Sequence, residues 1–449
     1  GQAALLAGLA HAPSRDNPIA APAKAEQRRQ LVLDRMARIG VALPADVERA
    51  RGEVVATTGA GGNFLAPHFT SWLLRRIDTV RALGSVRTSL DPVLQRAVEA
   101  EVRHTVAQLK SYGAEHAAAV VLDNATGGVL AWVGSPDFSA PNGGQVDMVV
   151  SPRQPGSTLK PFLYGLGFDR GFTPASILHD VATVYPTTTG PYAPRNYDRG
   201  FRGPVRAREA LGSSYNIPAV ELTAKLGVAA FLGTLHRAGF ASLTRRADHY
   251  GLGLALGNGD VTLLELANGY RALANGGVWR PATWRATDPT AVTEQGVRVM
   301  SAEAAAQVID VLADADARVP GFGSITPLEF PFRSAAKTGT SRHFTDNWAV
   351  ATTAGFTVAV WAGNFSGRPM AGASGITGAG PLLQRTVLAT AARYAPGSLP
   401  TPAELGLVPV PVCRLSGLRA GNGCSALTEW FAPGREPEPD TWHTPEGVR

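Results

Sequence analysis

Gln154-Pro155-Gly156-Ser157-Thr158-Leu159-Lys160-Pro161 is the stretch on which the reading turns. Ser157 and Lys160 stand three residues apart, so one helical turn places their side chains on a common face. Proline lacks an N–H and is comfortable only near a helix start, so Pro161 predicts a helix beginning at about Ser157. A serine there sits at the positive end of the helix dipole, where an alkoxide is favoured. A serine hydroxyl is a weak nucleophile until a base takes its proton, and a neutral lysine at i+3 can be that base. Residues before proline are pushed out of the α region, which leaves the turn at Lys160 open to distortion.

Two later stretches have complementary chemistry. Ser213-Ser214-Tyr215-Asn216-Ile217-Pro218 follows a predicted helical stretch, Val205 to Leu211. A hydroxyl two residues before an amide, in a loop between helices, can relay a proton and orient a substrate amide. Lys337-Thr338-Gly339-Thr340-Ser341 lies on a predicted strand after Ala335-Ala336. Glycine in a strand signals close approach of another backbone or a ligand. The lysine offers positive charge to a carboxylate, and the threonine hydroxyls add donors. Taken singly, the three have bland readings: a helix cap beside a surface lysine, a capping loop, and a strand turning into a loop.

Their order and domain-scale separation change that balance. S-x-x-K, S-x-N and K-T-G in succession resemble the penicillin-binding transpeptidase family, whose motifs class A β-lactamases share. The resemblance extends along the chain. Thr88 to Gln95 looks like the family's entry into its transpeptidase domain, Ala118 to Val133 like its first hairpin, and Asp260 to Gly277 like a helix of class A members. Residues 1–40 look like the tail of the glycosyltransferase domain that precedes it in class A, bifunctional proteins. Cys413 to Cys424, then Trp430-Phe431-Ala432-Pro433-Gly434, resemble the 1C type, in which a β-rich domain follows.

The resemblance implies a division into a glycosyltransferase remnant (1–42), a linker (43–88), a transpeptidase domain (89–398) and a C-terminal extension (399–449) leading towards a β-rich domain. It implies no polymerase activity in this chain, because the acidic motifs of that domain would lie upstream. The expected catalytic residues are Ser157, Lys160, Ser214, Asn216 and Lys337, with Thr338, Gly339 and Thr340 binding substrate. Ser157 would attack the bond between two D-alanines of a peptidoglycan stem peptide, Lys160 being kept neutral by burial and by Lys337. The N–H groups of Ser157 and Thr340 would form the oxyanion hole. An amine of a neighbouring stem would resolve the acyl-enzyme, and β-lactam antibiotics would trap it. The implied location is the periplasmic face of the bacterial inner membrane, with an anchor upstream of Gly1.

Three rivals compete. A β-lactamase or a D,D-carboxypeptidase shares the nucleophile but deacylates with water. A class A β-lactamase needs an E-x-x-L-N carboxylate loop, and the nearest string, Glu265-Leu266-Ala267-Asn268, lacks it and reads as a helix face. A non-catalytic penicillin-binding sensor or scaffold is the third. His343 and Asp346 invite a Ser-His-Asp reading, but Lys160 already fills the base role. Gly251 to Gly257 only faintly suggests a dinucleotide loop, with no framing strand and acidic partner.

The rest of the chain reads as α+β: an antiparallel sheet flanked by helices with a helical subdomain, the serine β-lactamase-like fold. Helices are predicted from Ala3 to Ala10, from about Ala23 to Ile39, and after Asp91-Pro92, where the stripe Leu94, Val98, Val102, Val106 and Leu109 follows. Runs at Ala117–Leu122 and Val129–Val133, and later Ala335–Ser341, Trp348–Thr353 and Phe356–Ala362, read as strands. The middle is mostly helical, broken by a Pro/Tyr/Gly-rich stretch at 185–203. Thr57 to Gly62 has a flexible connector's composition, and the last fifteen residues look extended or poorly ordered.

Net charge is +6, but the basic residues are scattered, which argues against nucleic-acid binding. Only five of the 42 basic residues are lysine (Lys24, Lys110, Lys160, Lys225, Lys337), and two of those five fall in the motifs above. An amine can lose its proton at reachable pH, whereas a guanidinium effectively cannot. Cys413 and Cys424 suit a disulfide or two free thiols equally. A zinc site would need two more ligands; none is apparent nearby, and no metal or cofactor is expected.

Overall fold

The computed structural model describes all residues except 13–14, 20, 56–63, 77–84, 142, 188–189, 287–294, 422, 445–446 and 449. The connector at Thr57–Gly62 lies outside the described residues. The chain forms two compact units, Gly1–Phe64 and Leu65–Arg449. In the first, α1 (Gln2–Leu9), α2 (Pro22–Arg38) and α3 (Pro44–Gly52) bury Ala4, Leu33 and Val47 against one another. Arg29 donates to Glu26 and to the carbonyl of Ala50, fastening α2 to the end of α3. The first two helices match expectation. The third occupies part of the expected linker, and another helix there, α4 (Pro67–Leu74), belongs to the second unit.

The second unit is built on five mainly apolar strands: β1 (His116–Asp123), β2 (Val129–Val133), β3 (Ala335–Thr340), β4 (Asp346–Thr352) and β5 (Phe356–Gly363). They pair antiparallel in the order β2-β1-β5-β4-β3. Apolar residues alternate to both faces because both are covered. On one side lie α5 (Pro92–Leu109) and α12 (Gly380–Ala391), with Leu94, Val98, Leu383 and Val387 packed against Val121, Ala349 and Val358. Asp91 caps α5 by accepting from the N–H groups of Val93 and Leu94, as its sequence suggested.

The other face carries the helical subdomain: α6 (Lys160–Asp169), α7 (Ala207–Gly212), α8 (Asn216–Leu226), α9 (Leu263–Ala274), α10 (Ala302–Ala313) and α11 (Ala315–Phe322). Glu265 closes a capping box with Thr262 at the start of α9 and accepts from the Ser242 N–H, so its carboxylate is occupied. The predicted helical stretch Val205–Leu211 begins differently. Gly203–Arg206 forms a short strand paired with Ile177–Asp180, and the helix starts only at Ala207. Pro204, which cannot donate to a ladder, suits such an edge.

Past α12, β6 (Val408–Cys413) and β7 (Ala426–Phe431) form a hairpin closed by a Cys413–Cys424 disulfide. The tail runs extended beside Arg419, whose N–H donates to Glu438 O and whose carbonyl accepts from Asp440 N–H. That pairing overturns the expectation that no further ligand lies near the cysteines. Asp440 and His443 fold back onto them. The hairpin itself is docked by a buried ion cluster. Glu429, on β7, accepts from Arg206 at 3.0 Å and from Arg208 at 2.7 and 2.8 Å. Arg208 also reaches Asp310 and Asp314, so α7, α10 and β7 share one charge cluster.

Candidate active site

The predicted helix start at Ser157 is corrected by one turn. Gly156–Leu159 is a 3₁₀ turn, and the α-helix begins at Lys160 with Pro161 in its first turn. Proline lacks the donor an earlier α start would demand, and a tighter turn at its head resolves the conflict. Side chains at i and i+3 eclipse in a 3₁₀ turn, so the change of turn type still leaves Ser157 and Lys160 on a common side. Ser157 is half-buried, whereas Lys160 is fully buried.

Glycines press this turn onto the sheet. A Cβ on Gly156 would come within 2.5 Å of Thr340 O, and Gly156 also has φ +58°. A Cβ on Gly339 would overlap Pro155 O, and one on Gly257 would overlap Gly156 O. The glycine run from 251 thus has a packing reason: it seats a 3₁₀ turn (Gly251–Leu256) and Gly257 against Gly156, beside Ser157. Trp348 Nε1 donates to Gln154 O and Tyr270 OH to Thr158 O, pinning both sides of Ser157.

Ser214 is held in the left-handed region, φ +63°, between α7 and α8. Such a backbone costs about 1 kcal/mol or more in a non-glycine residue. It turns the Ser214 carbonyl towards Lys160, which donates to Ser214 O at 2.7 Å, to Tyr215 O at 2.9 Å and to Asn216 Oδ1 at 2.8 Å. Asn216 is fixed in turn. Its side-chain NH₂ donates to Arg195 O, and its backbone N–H donates to Asn196 Oδ1. Asn196 is oriented by donating to both oxygens of the buried Asp180.

Lys337, from β3, donates to Ser214 Oγ at 2.7 Å and to Thr338 O at 2.9 Å. Lys160 Nζ lies 3.5 Å from the same hydroxyl. Ser214 therefore sits between two amines with its own proton left to donate. Burial pushes the Lys337 amine down to about 7. Burial, and then the charge of Lys337, push Lys160 well below the ordinary lysine value. The three oxygens around Lys160 favour its ammonium form. A neutral amine still keeps two of these bonds and has its lone pair free to accept a proton.

Strand alternation separates the third motif. Lys337 and Gly339 lie on the face of the nucleophile turn, and Thr338 and Thr340 on the other. Thr340, at the strand's end, accepts from Gly375 N–H through its hydroxyl, which retains a proton to donate. Thr338 is nearly buried. Lys160, Ser214, Asn216 and Lys337 are thus joined by hydrogen bonds, and Gly339 packs on the turn that carries Ser157, whereas the two threonines lie on the opposite face. His343 is exposed, and Asp346 accepts from Ser341, Thr345 and Trp361. Asn196 and Asp180 escaped the sequence reading because no local spacing ties them to Asn216.

Residues 117–385 match the family model described as the penicillin binding protein transpeptidase domain. Penicillin-binding protein 1C of Escherichia coli K12 is 34% identical over 97% of this chain and 55% of its own length. Penicillin-binding protein 1B of Vibrio cholerae is 30% identical over 83% of this chain and 50% of its own. The chain spans about half the length of the curated relatives it matches. Among solved structures, penicillin-binding protein 1A from Haemophilus influenzae superposes with a TM-score of 0.71 at 20% identity, covering 97% of this chain and 86% of that one. PonA1 of Mycobacterium tuberculosis, in complex with penicillin V, gives 0.59 at 22% identity, covering 74% and 93%. Both show the fold expected from the motifs.

Proposed function

Because this chain belongs to the penicillin-binding protein transpeptidase family, we propose that it is a serine D,D-transpeptidase acting on the D-Ala-D-Ala ends of peptidoglycan stem peptides. The observation that carries this is the meeting of two buried amines on one hydroxyl, Lys160 and Lys337 on Ser214, with Ser157 on the turn that begins α6.

Lys160 takes the proton of Ser157 as Oγ bonds to the carbonyl carbon between the two D-alanines. The oxyanion is met by the N–H groups of Ser157 and Thr340. Ser214, proton in hand and fed by Lys337, protonates the leaving nitrogen as the C–N bond breaks. Asn216 holds Lys160 and the peptide. Lys337, with Thr340 at the strand's end, receives the terminal carboxylate, and Gly339 lets the peptide backbone approach, whereas Thr338, buried on the opposite face, does not take the binding role its motif suggested. An amine of a second stem then attacks the acyl carbon and gives its proton to Ser214, while Lys160 returns its proton to Ser157 Oγ as the ester C–O bond breaks. A β-lactam follows the first half, but its opened ring stays attached and blocks the second. Glu265, spent in a capping box, supports slow hydrolysis over β-lactamase action. The setting is the periplasmic face of the inner membrane, with the whole protein membrane-anchored.

Intact-mass spectrometry after penicillin treatment tests this. The protein gains the mass of one penicillin and Ser157→Ala gains none, with its thermal melt unchanged. An adduct on the alanine variant would end the proposal.

A further inference from the structure

Far from the catalytic cleft, four side chains with metal-ligating chemistry meet: Cys413 at the end of β6, Cys424 before β7, and Asp440 and His443 in the tail. One ligand atom from each lies within 4.8 Å of all the others. His443 Nδ1 is 3.6 Å from Cys413 Sγ and 2.5 Å from Asp440 Oδ2. We propose that Cys413, Cys424, Asp440 and His443 form a tetrahedral zinc site whose occupied state replaces the disulfide.

A disulfide by itself requires neither an imidazole nor a carboxylate. Two sulfurs, one nitrogen and one oxygen are a zinc donor set, with bonds of about 2.0–2.3 Å. Softness favours zinc over calcium or magnesium. The surroundings are already arranged. Asp440 Oδ1 accepts from Ser416 Oγ at 2.9 Å and from Trp442 N–H at 3.0 Å, which leaves Oδ2 turned to the cluster. Hydrogen bonds to the non-ligating oxygen are how a ligating carboxylate is aimed. The 5.6 Å separating the two cysteine Cα atoms lets the sulfurs part without moving β6 from β7. The metal would join three segments that the disulfide joins only in part.

The chemistry balances in two steps. A dithiol reductant gives two electrons and two protons to the disulfide, becoming a disulfide itself and leaving two thiols. Zinc then binds both as thiolates and two protons are released. Oxidation by a disulfide reverses the process and frees the ion.

The test uses the full chain, reduced with a phosphine, freed of reductant and titrated with zinc or cobalt alone. One equivalent binds, and cobalt shows thiolate charge-transfer and tetrahedral bands. The oxidised chain binds none. Asp440→Ala and His443→Ala each weaken zinc more than tenfold while penicillin acylation persists, which reports an intact fold. Cys413→Ser with Cys424→Ser abolishes binding. No zinc on the reduced chain, or undiminished affinity in both tail variants, would overturn the proposal.

Discussion

Lys337→Met removes a buried amine while keeping most of its apolar stem. The ordinary lysine value is 10.5, and burial brings Lys337 to about 7. The unfolded chain therefore binds a proton at pH values where the folded one releases it. The resulting destabilisation is complete below about pH 7 and fades as pH rises through 10.5, so wild-type stability rises with pH across that window. At pH 7 the cost works out at about 4 kcal/mol. Methionine is free of it but leaves Thr338 O without this donor, while Ser214 Oγ keeps Lys160 at 3.5 Å, so the loss is that of about one bond, about 1–3 kcal/mol. The variant is thus more stable at pH 7 by about 1–3 kcal/mol, yet acylation by a fluorescent penicillin falls at least a hundredfold. Above about pH 10.5 the order inverts, because only the lost hydrogen bonds remain. Urea unfolding of both proteins from pH 6 to 11 measures the difference. A difference independent of pH, or a variant less stable throughout, would refute the claim that Lys337 is stored at an energetic loss for chemistry.

Two further outcomes follow from packing and charge. Gly339→Ala drives a methyl into Pro155 O, so the turn carrying Ser157 must retreat; penicillin acylation falls more than tenfold and stability drops by about 1–3 kcal/mol, read by gel fluorescence and calorimetry. Glu429→Gln keeps the shape of the cluster but strips the charge facing Arg206 and Arg208, costing on the order of 3 kcal/mol, and acylation slows because α7 leads straight into Ser213-Ser214.

The sequence carried the family well because its three motifs are short, ordered strings that local spacing alone makes visible. Asp91 before Pro92 marked a helix end, and short apolar runs marked the sheet strands. What escaped was either brief or remote. The strands at 177–180 and 203–206 are too short for a period to register. The partners Arg208 and Glu429 stand 221 residues apart. Asp440 and His443 meet the cysteines only through the tail's pairing with Arg419. Ser157 lies in a 3₁₀ turn, although Pro161 alone signalled that the α-helix starts nearby.

Lys337 and Gly339 of the third motif stand on β3, the last strand of the sheet. A border strand can recognise a guest through its main chain, by the same lattice that holds its other flank to β4. Tolerance for varied side chains and readiness for extended peptides are then one property. The same openness would invite unwanted partners, and a lysine beside a glycine, neither of them sticky, keeps that flank available without making it adhesive.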